Sequence, residues 1–189
     1  MQYKTLEITR SLWYTVRMKY DYVTLYNKNA EFFNAHPTAK RALKLGNTLF
    51  TWLFFACYGI LWGYALWINP FETRDLIHIL FVPLLTLLTV SVMRLAITRA
   101  RPYTEEGAGV IPFVEKKKAD DKSFPSRHLA CATVISMTFL HFYPIVGGVL
   151  LGVSVLLGYI RFALGLHYPS DLLAGAGLGL ILGSFIFLL

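Results

Sequence analysis

The sequence contains few charged residues for its length and only two cysteines. Of its 189 residues, 15% are charged and 56% are hydrophobic, compared with an apolar share of roughly 45–50% in soluble domains. Cys57 and Cys131 lie within apolar runs and lack a paired or metal-type spacing, which argues against a disulfide framework and a zinc site. The N-terminus has no compact apolar core followed by a small-residue cleavage site, so we expect the apolar spans to direct insertion themselves. The composition indicates an integral membrane protein.

The charged residues that are present are predominantly basic. Eighteen Lys and Arg oppose eleven Asp and Glu, giving a formal net charge of +7. In a soluble protein such an excess would point to nucleic acid, but here the basic residues flank hydrophobic spans. We therefore expect the lipid bilayer, with its anionic head groups, and a phosphate-bearing substrate as partners, and no nucleic acid.

Five apolar segments approach or exceed the ~20 helical residues that a bilayer core requires. They cover residues 43–68, about 76–98, about 129–143, 145 to about 164, and 169–189, the third being the shortest. Pro83 lies inside the second segment, where a neighbouring helix can satisfy the carbonyl that proline leaves without a donor. Gly175, Gly177, Gly179 and Gly183 recur at alternating or four-residue spacing in the last segment, which predicts close helix packing. The predicted fold is all-α, a polytopic membrane helical bundle of about five transmembrane helices.

The N-terminal residues 1–42 mix apolar and basic side chains and are too charged to span a bilayer. Apolar positions at roughly helical spacing with basic residues between them are typical of a helix that lies in the membrane interface. A solvated helical arm packed on the bundle fits equally well. We therefore divide the chain into an amphipathic interfacial arm, residues 1–42, and a membrane-embedded domain, residues 43–189. The polar connection over 99–127 is expected to have little regular structure.

Alternate threading of five spans brings three polar clusters to one membrane face. The clusters are Arg94 with Arg101-Pro102, then Pro125-Ser126-Arg127-His128, then Arg161, His167 and Asp171. Each cluster lies where an apolar run begins or ends. Ionisable residues are costly to hold at the edge of a bilayer, so their presence there indicates function.

The first two clusters contain groups suited to binding an anion. Arg94 and Arg101 are seven residues apart and point the same way if the helix persists that far. Each guanidinium could then donate paired hydrogen bonds to phosphate oxygens. Snorkelling at a helix end is the alternative, and it is slightly favoured for this pair considered alone. Ser126 is expected to cap a helix N-terminus, to donate to a phosphate, or both. His128 is expected to act as a general acid, or else only to cap or hydrogen-bond a loop.

The third cluster pairs a histidine with a carboxylate. His167 and Asp171 are four residues apart, and a carboxylate on one imidazole nitrogen leaves the other nitrogen as a nucleophile. The same pair suits a metal ion, but only His128 is available as a further histidine and the surplus of arginine would repel a cation. Asp171 is alternatively a plain helix cap. We expect neither a metal nor a cofactor.

In order and spacing, the three clusters resemble the type 2 phosphatidic acid phosphatase superfamily of integral membrane lipid phosphatases. The family pattern is Lys, six residues, Arg-Pro; then Pro-Ser-Gly-His; then Ser-Arg, five residues, His, three residues, Asp. This chain departs from the pattern at three positions: Arg94 replaces the lysine, Arg127 replaces the glycine and Ile160 replaces the serine. The family glycine lets the backbone approach the phosphate, so Arg127 is expected to redirect substrate choice or to add an anion contact. Because Ile160 has no hydroxyl, the hydrogen bond that the family serine is expected to donate to the phosphate is lost.

The resemblance implies a metal-independent lipid phosphatase. His167 would attack phosphorus and form a phosphohistidine, Asp171 would orient His167, and His128 would protonate the leaving oxygen. The implied phosphate ligands are Arg94, Arg101, Ser126, Arg127 and Arg161. The expected substrate is of the phosphatidic acid or phosphatidylglycerol phosphate type. Undecaprenyl diphosphate is the alternative substrate, and a non-enzymatic lipid-binding or transport protein is the alternative outside enzymes.

The distribution of basic residues also predicts an orientation. Apart from the motif arginines, the threading puts every Lys and Arg except Arg74 on the active-site face. The positive-inside rule therefore predicts a cytoplasmic site in a bacterial cell membrane, which favours a glycerophospholipid substrate. Many bacterial relatives of the family face outward instead.

Overall fold

The computed structural model describes residues 21–68, 71–104, 107–115 and 122–188. Residues 1–20 of the expected interfacial arm, the turn at Asn69-Pro70 and the charged run 116–121 lie outside these ranges. The helices are α1 over 21–35, α2 (Pro37–Ile68), α3 (Thr73–Ala96), α4 (Arg127–Phe142), α5 (Pro144–Ala163) and α6 (Pro169–Ser184), which ends in a short 3₁₀ helix (Phe185–Phe187).

The prediction of an all-α membrane bundle is confirmed. Helices α2, α3 and α5, and α6 together with its 3₁₀ end, are long and apolar enough to cross a membrane. Helix α4 has only 16 residues, in keeping with the short third span expected. Its residues are buried almost continuously from Leu129 to Phe139, so α4 is the central helix around which the others pack. Helix α2 begins at Pro37, before the predicted start at residue 43.

The predicted close packing of glycines is found between α6 and α4. The glycines and their α4 neighbours are Gly175 against Ser126, Gly179 against Ala130 and Thr133, and Gly183 against Met137. A Cβ at Gly175 would lie 2.5 Å from the Ser126 carbonyl oxygen. A Cβ at Gly177 would meet nothing within 4 Å, so the prediction of close packing is wrong for this glycine, which lies on another side of the helix. The other three glycines hold α6 against α4 from Ser126 to Met137.

Pro83 is accommodated inside α3 as expected. Proline has no N–H with which to bond the carbonyl of Ile79, one helical turn earlier. The hydroxyl of Tyr58, on α2, donates to that carbonyl oxygen at 2.8 Å. A neighbouring helix thus supplies the missing donor.

Helix α1 covers the connection between α5 and α6. Its buried Tyr22 ring lies edge-on to Tyr168, with 4.7 Å between ring centroids. Tyr26 is also buried and donates its hydroxyl to the carbonyl of Ile111 at 2.6 Å. Gly165 has a positive φ of 76°, and a Cβ there would lie 3.0 Å from the Tyr26 ring. Glycine therefore satisfies both the left-handed backbone and the close approach of α1.

Candidate active site

Helix α3 ends sooner than the first cluster was predicted to require. Its last residue is Ala96, and Ile97 already has an extended backbone. Arg94 therefore lies on the helix and Arg101 on the segment beyond it. The two arginines were expected to share a helical stripe only if the helix continued through Arg101, and this condition is not met.

The segment after α3 pairs instead with the segment before α4. Ala100 and Lys122 form an isolated antiparallel bridge, and the Ser123 N–H donates to the carbonyl of Arg99 at 2.7 Å. Alternate residues of an extended segment share a face. Arg99 and Arg101 consequently both reach the region between the end of α5 and the start of α6.

Arg94 is buried against the loop that precedes α4. Its guanidinium donates to the carbonyl oxygen of Pro125 at 3.1 Å and to that of Lys122 at 2.5 Å. These bonds connect the first cluster to the second, because the loop leads directly into Ser126 and His128.

Two further arginines are buried near the α5–α6 connection. Arg101 donates to the carbonyl of Leu166 at 3.5 Å. Arg161 lies in the last turn of α5, and its buried Nε finds no hydrogen-bond partner among the described residues. A buried donor without a partner calls for an explanation, and an absent ligand is one of the usual ones.

His167 is buried in the connection between these arginines and α6. Its Nδ1 lies 3.1 Å from the Ser123 carbonyl oxygen. A carbonyl only accepts hydrogen bonds, so Nδ1 carries the proton and Nε2 is the unprotonated nitrogen of the neutral ring. Burial lowers the pKa of His167 to about 4 against the opposing effect of Asp171, with the charges of Arg101 and Arg161 also lowering it. The ring is therefore neutral near pH 7.

The Asp171 carboxylate is fully buried and accepts three hydrogen bonds. Oδ1 accepts from Arg99 Nη1 at 2.8 Å. Oδ2 accepts from the Tyr168 N–H at 2.9 Å and from the Ser123 hydroxyl. His167 Nδ1 is 3.7 Å from Oδ2, too far for a hydrogen bond. The carboxylate thus lies beside the imidazole, while the direct partner of the imidazole is the Ser123 carbonyl. The bond from Tyr168 also caps α6, so the alternative role of helix cap is present as well.

The start of α4 joins the second cluster to the third. Ser126 is the N-cap residue, and its backbone N–H donates to the Asp171 carbonyl at 3.0 Å. Its hydroxyl makes no capping bond and is buried without a partner in the part of the chain that the structure describes. Arg127 is exposed and His128 half-buried. Both line a cleft of about 170 Å³. The rest of the lining is almost entirely apolar: Thr51, Phe54, Phe55, Leu87, Cys131, Ala132, Ile135 and Leu157.

Several contributors to this site escaped prediction from the sequence. Arg99 lies between the two arginines of the first motif. If that stretch is taken as a helix, Arg99 and Arg101 point in different directions, whereas in an extended segment they share one face. Pro102 was the available signal, because the residue before a proline avoids helix. Ser123 lies in the connection predicted to have little regular structure, where no periodicity marks it.

The structure brings all three clusters together. Contacts from Arg94 to Pro125, from Ser126 to Asp171 and from Arg101 to Leu166 connect them in pairs. Within the described ranges, no group of three or more His, Cys, Asp or Glu residues is arranged to hold a metal ion. The charged groups that surround His167 are instead arginines and one carboxylate, a set suited to a phosphate.

Curated relatives of known name match part of the chain. The lipid A 1-phosphatase of Rhizobium etli is 31% identical over 93 residues, and that of Rhizobium johnstonii is 28% identical over 103 residues. These matches cover 49% and 54% of this chain but 40% and 42% of the relatives. The chain therefore spans less than half the length of the curated relatives it matches.

Two solved structures share the fold. LpxE from Aquifex aeolicus superposes with a TM-score of 0.65 at 22% identity, covering 88% of this chain and 94% of its own. The first transmembrane PAP2 type phosphatidylglycerolphosphate phosphatase from Bacillus subtilis superposes with a TM-score of 0.52 at 21% identity, covering 89% and 94%. The model of the PAP2 superfamily matches residues 75–189, which is more than half of the sequence and includes all three clusters. The chain therefore belongs to the PAP2 superfamily, the type 2 phosphatidic acid phosphatase superfamily that its motifs resemble.

Proposed function

We propose that the protein is a membrane lipid phosphatase that hydrolyses a lipid phosphate monoester without a metal, through a phosphohistidine at His167. One observation carries the proposal. The buried, neutral imidazole has its Nδ1–H directed at the Ser123 carbonyl, which leaves Nε2 for attack. Covalent catalysis by histidine requires this combination of one fixed nitrogen and one free nitrogen.

The reaction proceeds in two steps. Nε2 of His167 attacks phosphorus, and the P–N bond forms as the P–O bond to the lipid alcohol breaks. His128 protonates the departing alcohol oxygen. Water then attacks phosphorus with His128 as the base, the P–N bond breaks, and inorganic phosphate leaves.

Fixed donors stabilise the charge on the equatorial oxygens in both steps. The strongest candidates are Arg161 and Ser126, because Nε and Oγ are buried donors without partners among the described residues. Arg101 contributes a second buried guanidinium, and Arg127 lies at the rim of the cleft beside His128. For Arg94 we propose a different role from the one expected. Its bonds to the carbonyls of Pro125 and Lys122 fit the support of the loop better than contact with phosphate.

The substrate is an amphiphile whose phosphate reaches His128 from the membrane. The cleft of about 170 Å³ that His128 helps to line has almost entirely apolar walls, as part of an acyl chain would require. Phosphatidic acid and phosphatidylglycerol phosphate are the proposed substrate types. The names of the two curated relatives add lipid A 1-phosphate as a candidate, and undecaprenyl diphosphate is the alternative.

The test is phosphate release by the purified protein in detergent containing EDTA, with these four lipids in parallel. We expect release from at least one monophosphate lipid, with no dependence on added metal. H167A should abolish it, whereas H141A, which removes an exposed histidine from the last turn of α4, should not. A substrate labelled with ³²P should leave a base-stable, acid-labile phosphoenzyme in the wild type and none in H167A. Release from none of the four lipids would instead support a non-enzymatic lipid-binding or transport protein.

We further propose that the active site faces the cytoplasm, supported by the concentration of Lys and Arg on its face. Glu115 is exposed, close in sequence to Phe113, whose N–H donates to the Leu164 carbonyl, so it marks this face. The substitution E115C is made in a variant whose native Cys57 and Cys131 have been replaced. The introduced cysteine should react with a membrane-impermeant maleimide only after the cells are permeabilised. The opposite-face control R74C should react in intact cells. Reaction of E115C in intact cells would reverse the assignment.

A further inference from the structure

Arg99 belongs to none of the motif positions, yet it makes a dense set of contacts at the site. Its Nη1 donates to Asp171 Oδ1 at 2.8 Å and to the Ser170 hydroxyl at 2.7 Å. Its guanidinium carbon lies 4.2 Å from the centre of the Tyr168 ring. Three of the first residues around the start of α6 are therefore held by one side chain, which extends from the strand-like segment after α3.

The partner of Arg99 distinguishes this pair from a surface ion pair. The Arg99 side chain is 27% exposed, but that of Asp171 is fully buried. A buried carboxylate needs a compensating charge as well as hydrogen bonds. Ser123 and Tyr168 supply neutral donors to Oδ2, and Arg99 is the cation that contacts Oδ1 directly.

We propose that Arg99 is a positioning residue for the nucleophile and acts through Asp171. By binding Oδ1, it sets the plane of the carboxylate, so that Oδ2 stays with the Ser123 hydroxyl and beside His167. Because Ser123 also accepts the Nδ1–H of His167 through its carbonyl, a rotation of the carboxylate would disturb the imidazole as well. The charge of Arg99 also compensates the negative charge of the buried Asp171 carboxylate.

This role rests on the proposed phosphatase activity and is tested in the same assay. In R99A we expect kcat to fall by about 10- to 100-fold, the range that a misplaced reacting group produces, with KM within about 2-fold of wild type. R99K should recover part of the loss, because an ammonium can reach Oδ1 but lacks the planar fork that serves Ser170 as well. R74A, which removes an exposed arginine at the start of α3, is the matched control and should resemble wild type. Thermal unfolding in detergent shows whether R99A is folded, and R99K decides the question if R99A is not.

A double-mutant cycle identifies the residue through which Arg99 acts. With ³²P-labelled lipid and long incubations, the R99A change should cost less than about 3-fold in a D171N background, since coupled residues are not additive. The full cost in that background would overturn the proposal, as would a rise in KM at constant kcat, which would make Arg99 a substrate ligand. An R99A protein as active as R74A would overturn it too. A wild-type protein inactive on every lipid phosphate would instead refute the proposed function, and this role with it.

Discussion

The site consists of two halves that differ in how their polar atoms are satisfied. In the satisfied half, which we define as Arg99, Ser123, His167 and Asp171, hydrogen bonds within the protein hold both imidazole and carboxylate. The open half comprises Ser126, Arg127, His128 and Arg161. Here the Ser126 hydroxyl and Arg161 Nε are buried without partners among the described residues. In the proposed mechanism, the nucleophile is therefore positioned before the substrate arrives, and the bound phosphate supplies the missing hydrogen-bond partners of the open half.

This difference has an energetic consequence. An unsatisfied buried polar group costs about 1–3 kcal/mol, and a charged group costs more. The unsatisfied groups of the open half therefore destabilise the protein without substrate, and in the proposed mechanism a bound phosphate offsets that cost. The satisfied half contributes to stability whether or not substrate is present. Mutations in the two halves should accordingly separate activity from stability.

The largest effect is expected at Arg161, in the open half. Arg161→Met should lower kcat/KM by about 100- to 1,000-fold, as loss of a preorganised donor to a transition-state oxyanion does. The thermal midpoint in detergent should stay constant or rise, because a buried, incompletely bonded charge is replaced by an apolar chain. Arg41→Met, on an exposed part of α2, controls for the lost charge. A large fall in stability would show that Arg161 is satisfied in the resting protein and would remove the distinction between the halves.

A comparable effect is expected from pH, through His167. Its folded-state pKa of about 4 lies below the usual 6.5 of an unfolded chain. The unfolded state therefore binds an additional proton between these values, and stability falls by about 3 kcal/mol as the pH drops from 6.5 to 4. H167Q should remove this part of the acid sensitivity, whereas H141Q should retain it. Equal acid sensitivity of H167Q and the wild type, in unfolding measured across this range, would contradict a buried neutral His167.

A smaller effect is expected where the two halves meet, at Gly175. An added Cβ would lie 2.5 Å from the backbone carbonyl of Ser126, so G175A forces α6 away from the start of α4, at a cost of about 2 kcal/mol. G177A is a matched control, since its Cβ would meet nothing within 4 Å and alanine is the better helix former. Thermal unfolding should show G175A below and G177A at or above the wild type. The reverse order would mean that this contact does not hold the halves together.

The smallest effects are expected at the two serines, and they should differ in kind. S123A removes the hydroxyl bonded to Asp171 in the satisfied half, so kcat should fall by about 10-fold with KM unchanged, as for one charge-assisted hydrogen bond. S126A removes an unpartnered hydroxyl from the open half, so it should weaken inhibition by inorganic phosphate or vanadate by about 3- to 10-fold. S126A should not destabilise the protein. If both variants changed kcat and inhibitor binding to a similar extent, the proposed difference between the two halves would be contradicted.

The fold was largely predictable because its determinants are local. Apolar segments of bilayer length mark the spans, and Pro83 and all but one of the α6 glycines named from the sequence fulfil the packing roles expected of them. The meeting of the clusters followed from alternate threading. By contrast, the exit from α3 depends on tertiary contacts, namely the bridge from Ala100 to Lys122 and the bonds from Arg94 to the loop. Helical periodicity contains no information about such contacts.

The site was predictable in its residue types but less so in its connections. Spacing identified His167 and Asp171 as neighbours, but the hydrogen bond of Nδ1 goes to a backbone carbonyl, an acceptor that every residue possesses and that no sequence pattern distinguishes. The roles of Arg99 and Ser123 depend in the same way on the path of an irregular connection. The sequence is thus a better guide to the residues proposed to react than to the residues that hold them in place.

Helix α4, with its 16 residues, rises roughly 24 Å from end to end at 1.5 Å per residue. A typical hydrocarbon layer is about 30 Å thick, so at least one end of this helix lies below the level of the head groups unless the bilayer thins around it. If that end is the one with Ser126 and His128, the lipid phosphate must descend toward the acyl region to react, and water must follow it. The thickness of the host membrane would then set how far each substrate molecule travels before hydrolysis.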